Sequence, residues 1–116
     1  MGKHNFKKMK IWLSAMDLCD SIFKITADFS KNEMYSLTSQ INRCAISVPS
    51  NIAEGSSRSS KKDFDRFLEI SLGSLFELQT QIVLVGYQKY IQKAKLKVTE
   101  LKIEELQKMI SGFQNH

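Results

Sequence analysis

One row of positions constrains this chain more than any other: Phe64, Leu68, Ser71, Leu75, Leu78, Ile82 and Val85 follow one another at steps of four and three without a slip. Side chains recurring in that way fall on one face of an α-helix, and such a seam packs against neighbouring helices at a shallow angle. The spacing predicts a helix over 61–87 within a bundle. Leu72, Phe76 and Val83 lie at the edge of the row or beyond it, at about 100° per residue, and widen the apolar arc to roughly half the circumference. A surface helix needs less. Either this helix is central to its bundle, or the extra strip of Leu72, Phe76 and Val83 meets another subunit.

Three further segments carry helical spacing. Ile11, Ala15, Leu18, Ile22, Ile25 and Phe29 form one face of a helix predicted over 10–29, with Asp17, Asp20, Lys24 and Asp28 outside that row. Ser30 and Glu33 have the spacing of a capping box, so a second helix is expected over 33–54, with Leu37, Ile41, Cys44, Ala45, Val48 and Ile52 as its buried row. Pro49 interrupts that row. It lacks the amide that would bond the carbonyl of Ala45, so a kink is expected there and not a new element. Gly55 is expected to end the helix in the left-handed cap conformation. Ser60 with Asp63 caps the third helix. After Gly86 and Tyr87 the sequence reads as a lysine-rich connection (Lys89, Lys93, Lys95, Lys97), then a last helix over 97–113 with Leu101, Ile103, Leu106, Met109, Ile110 and Phe113. The expected fold is all-α: one domain over 1–116, an antiparallel up-down-up-down four-helix bundle.

At 116 residues there is room for one core, and a single proline with five glycines leaves little material for a turn-rich β-fold. Cys19 and Cys44 each sit among apolar residues, which suits two small buried hydrophobes in a reducing compartment rather than a disulfide. The apolar run after the basic N-terminal lysines is short and closed by Asp17 and Asp20, so a secretory signal is not expected. No stretch reads as the run of about 20 apolar residues that crosses a bilayer. A cytoplasmic protein with no membrane partner is expected.

The chemistry that would make an enzyme is poorly represented. The histidines, His4 and His116, stand near the ends of the sequence, and Glu-x-x-His pairs of the di-iron type are absent. A cysteine or serine nucleophile would lack a histidine base within the fold, and there is no glycine-rich phosphate loop. No catalytic residue, metal or cofactor is expected.

The middle of the chain carries a more specific pattern. It runs Ser47-Val48-Pro49-Ser50-Asn51-Ile52-Ala53-Glu54-Gly55, then Arg58, Ser60, Asp63-Phe64, Arg66-Phe67-Leu68, Gly73-Ser74, Glu77-Leu78 and Gln81. Upstream stand Trp12, Glu33, Tyr35, Leu37-Thr38-Ser39-Gln40 and Arg43. From Phe29 to Ile91 the sequence resembles the 23S rRNA intervening-sequence protein family, also called the four-helix bundle protein family. It departs from the family pattern at Ser30, Ser36, Asn42 and Cys44, where proline, glycine, the first of two arginines and alanine are usual. The resemblance implies a left-handed up-down bundle assembled as a homopentameric ring, in a family encoded in insertions within bacterial 23S rRNA genes or elsewhere in bacterial genomes. It also implies kinship with the accessory variability determinant of diversity-generating retroelements, a basic pentamer that binds nucleic acid and a reverse transcriptase.

A formal charge of +5 suits a polyanionic partner. In an up-down bundle the N-terminus and the connection between the second and third helices share one end. That end would gather Lys3, Lys7, Lys8, Lys10, Arg58, Lys61, Lys62 and Arg66 against Glu54, Asp63 and Asp65, with Phe6 and Trp12 flanking the first lysines. Cations mixed with aromatics can pair with phosphates and stack on unpaired bases, although the same lysines also suit a merely solvated end. The lysines between Tyr87 and Val98 read as a solvated loop. Serines 56 to 60 with the start of the third helix offer amides for a phosphate, but capping explains them more simply. Pro49, Asn51, Glu54, Gly55, Gly73, Glu69 and Glu77 read as structural: caps, ion pairs and close helix approach. The expected function is a non-catalytic, oligomeric nucleic-acid-binding protein, for RNA above DNA; the alternative is a structural adaptor for another protein.

Overall fold

The structure, a computed structural model, describes residues 5–29 and 31–115, with the side chains of 31–34 excepted. Lys3, His4, His116 and the Ser30–Glu33 capping pair therefore lie outside the described residues or side chains. A 3-10 turn, Phe6–Lys8, is followed by four α-helices: α1 Lys10–Thr26, α2 Lys31–Ser56, α3 Lys61–Tyr87 and α4 Lys93–Gln114. No strand occurs among the described residues. A 27-residue helix is about 40 Å long, and the molecule measures 47 × 24 × 20 Å, so α3 runs along its long axis.

Each member of the four-and-three row of α3 is buried: Phe64, Leu68, Ser71, Leu75, Leu78, Ile82 and Val85. They share one core with Ile11, Leu18, Ile22, Ile41, Val48, Ile52, Ile103, Leu106 and Ile110. Helix α2 packs on α1 and α3, and α4 packs on α3 and α1. Position falls along one helix as it rises along its neighbour. Cys19 reaches Ala45 and Thr26 reaches Asn42, Cys44 reaches Ser74 and Val48 reaches Ser71, Lys61 reaches Gln114 and Gln79 reaches Glu100. By length and composition alone α3 is long and apolar enough to cross a bilayer. Its apolar row is used here against the other helices.

Two ends differ from expectation. Helix α1 stops at Thr26, and the chain tightens into i→i+3 bonds, from Asp28 N–H to Ile25 O at 3.2 Å and from Phe29 N–H to Thr26 O at 3.1 Å. This turn brings Phe29 back to the core beside Tyr90, with ring centroids 6.1 Å apart. Helix α4 begins at Lys93, not 97, so Lys93, Lys95 and Lys97 are helical, as lysine permits. Its buried face is Thr99, Ile103, Leu106 and Ile110, whereas Leu101 is 56% exposed.

Pro49 is buried inside α2, which continues through it as one element. The carbonyl of Ala45, which a residue with an amide at 49 would have bonded, receives the thiol of Cys19 at 2.9 Å. The two cysteines are free and buried.

Gly55 does not act as a left-handed cap: no glycine among the described residues has positive φ. It lies within the last turn of α2, where a Cβ would stand 2.7 Å from Cβ of Phe67 and 2.9 Å from Cδ1 of Phe64. Its missing side chain is what lets α2 and α3 close together. Around the middle of the same seam the contacts are small and polar. The hydroxyls of Ser47 and Ser74 are 2.9 Å apart, Ser71 Oγ donates to Val48 O at 2.8 Å, and Cys44 Sγ donates to Ser74 O at 3.1 Å. Asn51 Nδ2 folds back on Ser47, donating to its carbonyl at 2.8 Å and lying 3.0 Å from its hydroxyl. Ser74 thus fits the expected close approach. Gly73 does not, because a Cβ there would meet nothing within 4 Å.

Replacing Gly55 with Ala should lower unfolding free energy by roughly 1–3 kcal/mol, the usual cost of overpacking, measured by urea denaturation. Cys19→Ala should cost about 1 kcal/mol by leaving a buried carbonyl short of a donor, and Cys19→Ser should cost less. In a Pro49→Ala background, which restores the amide, the Cys19→Ala loss should shrink. Strictly additive losses would show that the thiol does not serve this carbonyl.

Candidate nucleic-acid interface

The Phe6–Lys8 turn packs on α1 and α2, which holds Lys7 and Lys8 against the body of the protein while leaving both exposed, as is Lys10. Phe6 and Trp12 lie edge to face at 5.3 Å, and Trp12 is half-buried on the core. Their rings anchor the turn first of all. The remaining cations come from the α2–α3 connection. Ser57 Oγ donates to Glu54 O at 2.7 Å and Ser56 Oγ to Ala53 O at 2.6 Å, so both hydroxyls serve the end of α2. Ser60 caps α3 as expected, accepting from Asp63 N–H at 3.1 Å.

Charge at this end is only partly balanced. Arg58 lies 3.6 Å from Glu54, Lys61 2.8 Å from Asp65, and Arg66 3.7 Å from Asp63. Lys61 also donates to Gln114 O at 3.1 Å, tying the start of α3 to the end of α4. Such exposed pairs contribute little to stability, but each occupies a carboxylate. Among the described residues Lys7, Lys8, Lys10 and Lys62 have no carboxylate partner. The guanidinium of Arg58 lies 4.7 Å above the ring of Phe67. At the other end of the molecule Lys89, at φ 63°, connects α3 to α4, and Lys93, Lys95 and Lys97 occupy the start of a helix with no acidic residue in its first turn and no side-chain cap.

Of the strip proposed for subunit contact, Phe76 is 55% exposed, Val83 is half-buried and Leu72 is half-buried against the core. The outward apolar residues of α3 are Ile70, Phe76, Leu84 and Tyr87, with Gly73 and Thr80 on the same face. Glu69 accepts from Gln114 Nε2 at 3.2 Å, and Glu77 is exposed. A second apolar surface is the groove between α1 and α4, about 660 Å³, lined in part by Leu13, Val98, Leu101 and Met109. Sequence reasoning also missed Gln79. Its amide donates to Glu100 and Glu104 at 3.2 and 3.1 Å, and its oxygen accepts from Gln107 at 2.9 Å. A glutamine beside the heptad row, facing a helix rich in Glu and Gln, was the available signal.

Among the described residues no three His, Cys, Asp or Glu side chains gather where they would hold a metal ion. Burial pushes the Cys19 thiol up to about 11, and burial together with the charge of Glu77 does the same for Cys44. Thiols held protonated are poor nucleophiles. Both should resist a thiol-reactive disulfide reagent at pH 8 in the native protein and react fully once it is denatured. Since their folded values exceed the unfolded value near 9, stability should fall as pH rises from about 9 to about 11.

No curated protein matches the chain. Among solved structures, a protein of unknown function from the S23 ribosomal protein family of Bacteroides thetaiotaomicron VPI-5482 superposes with a TM-score of 0.84, over 91% of this chain and 99% of that one. At 20% sequence identity this likeness shows a shared four-helix fold. Residues 7–112 match the profile described as 23S rRNA-intervening sequence protein. With nearly its whole length under that profile, the chain belongs to the 23S rRNA-intervening sequence protein family.

Proposed function

We propose that the protein is a non-catalytic, oligomeric, cytoplasmic nucleic-acid-binding module that takes RNA through phosphate contacts at the end formed by the Phe6–Lys8 turn and the α2–α3 connection. The observation that carries this reading is the charge imbalance there. The neighbouring carboxylates Glu54, Asp63 and Asp65 are each engaged by Arg58, Arg66 and Lys61, which leaves Lys7, Lys8, Lys10 and Lys62 for an outside anion. A family named for an rRNA-intervening sequence accords with RNA as that anion.

The topology in this reading is up-down-up-down, supported by cross-helix contacts in which position falls along one helix as it rises along the next, from Cys19–Ala45 to Thr26–Asn42, from Cys44–Ser74 to Val48–Ser71 and from Lys61–Gln114 to Gln79–Glu100. The assembly is a homopentameric ring. Support for it comes from the outward face of α3, where Ile70, Phe76, Leu84 and Tyr87 are each at least half exposed in the single chain. Gly73 in the middle of that face, with no neighbour of its own, would let another subunit approach closely. A ring multiplies the basic end around an axis and adds avidity without new contacts. The groove between α1 and α4 favours a second reading, a structural adaptor that binds another protein.

Fluorescence anisotropy with a labelled RNA tests the lead reading. Affinity should fall steeply between 20 and 200 mM salt, with a log–log slope of about −3 per site if four lysines meet phosphates. Replacing Lys7, Lys8 and Lys62 with Gln should weaken binding about tenfold or more at low salt, with helicity unchanged by circular dichroism. Absence of binding at 20 mM salt would remove the reading and favour the adaptor. For the ring, light scattering at micromolar concentration should give five times the chain mass. Gly73→Ala should disperse the ring while stabilising each chain by roughly 0.5–1 kcal/mol, the helix preference of Ala over Gly. A wild-type monomer would exclude the ring.

A further inference from the structure

The absence of a side chain at Gly55 has an effect beyond the helix seam. It allows Phe67 to approach the last turn of α2, with a Cβ at 55 excluded at 2.7 Å from Cβ of Phe67. The chain then turns, with Arg58 N–H donating to Gly55 O at 3.0 Å, and the same turn carries the Arg58 guanidinium over the Phe67 ring at 4.7 Å. Glu54, one helical turn before, lies 3.6 Å from one terminal nitrogen and limits rotation of the group. A guanidinium is a plane with two faces. The carbon of this one lies over the Phe67 ring, and the Arg58 side chain remains 43% exposed, so part of the group is open to solvent. Arg66, next to Phe67 in the chain, is 72% exposed, and Lys62 lies one turn before it on the same side of α3.

A weakly hydrated planar cation beside an aromatic ring is a surface on which a nucleobase stacks, and a cation such as Lys62 on the neighbouring helix can hold an adjoining phosphate. Bases inside a duplex are already stacked and cannot present a face to it. We infer that the Arg58–Phe67 pair is a stacking platform for an unpaired base, so that the basic end selects single-stranded nucleic acid over duplex. This inference rests on the nucleic-acid reading above and adds to it the form of the ligand.

Three labelled probes of equal length separate the two: a single-stranded oligoadenylate, an abasic phosphodiester strand with no bases, and a double-stranded RNA. Wild-type protein should bind the oligoadenylate about tenfold tighter than the abasic strand and tighter than the duplex. Arg58→Lys keeps the charge and removes the plane. It should cost about tenfold on the oligoadenylate and leave affinity for the abasic strand and the salt slope unchanged. Phe67→Leu, which keeps an apolar contact beside Gly55, should act in the same direction. Equal affinity for all three probes, or an Arg58→Lys loss that is the same with and without bases, would overturn the platform and leave the phosphate-binding reading standing. If none of the probes binds at 20 mM salt, both fall together.

Discussion

The close approach of α2 and α3 is the contact on which the rest of the structure depends. It requires a glycine at 55, small side chains at Ser47, Ser71 and Ser74, and hydroxyl and thiol donors that satisfy the backbone they press against. The polar groups of Cys44, Ser47, Ser71 and Ser74 are tolerated there because each has a partner, and the seam gains directional bonds that a purely aliphatic one would lack. Those bonds set α2 and α3 in one register. With the register set, Phe67 meets the turn after α2, and Arg58 meets Phe67. The geometry of the candidate interface is thus inherited from the helix seam.

Much of the fold was legible in the sequence because the long heptad row in α3 has no alternative use: Leu68, Leu75, Leu78 and Ile82 are fully buried. Where reasoning went astray, one residue type had two physical roles. Glycine both adopts left-handed turns and admits close neighbours; Gly55 does the second, and spacing alone does not separate the two. Gly73 reads as a site of close helix approach, yet within the single chain a Cβ there meets nothing within 4 Å. Lysine clusters suggest loops, yet lysine is a good helix former, so Lys93 to Lys97 extend α4. Leu101 counts among the apolar residues of the last helix, but the register of α4 leaves it 56% exposed and buries Thr99, whose hydroxyl donates to Lys95 O at 2.8 Å.

The candidate site was legible as composition and not as charge balance. Which cations would stand unopposed depended on rotamers and helix phase: Lys61 finds Asp65 one turn on and the last turn of α4 across the bundle, while Lys62, its neighbour, points elsewhere and finds no carboxylate among the described residues. Sequence counts the two alike. Phe6 and Trp12, chosen as stacking partners for bases, are largely occupied by each other and by the core, whereas Phe67 gained its importance only through the guanidinium above it.

Pro49 and Cys19 lie on different helices and are joined by one carbonyl, that of Ala45. This gives their histories a direction. A chain with proline at 49 and no donor at 19 carries an unmet carbonyl, while a chain with a donor at 19 and an ordinary residue at 49 carries only a spare thiol. The permissive path therefore acquires the thiol first and the proline second, and loses them in the reverse order. Once both are present, position 19 is no longer free to drift among small apolar residues, although nothing in its own helix would reveal why.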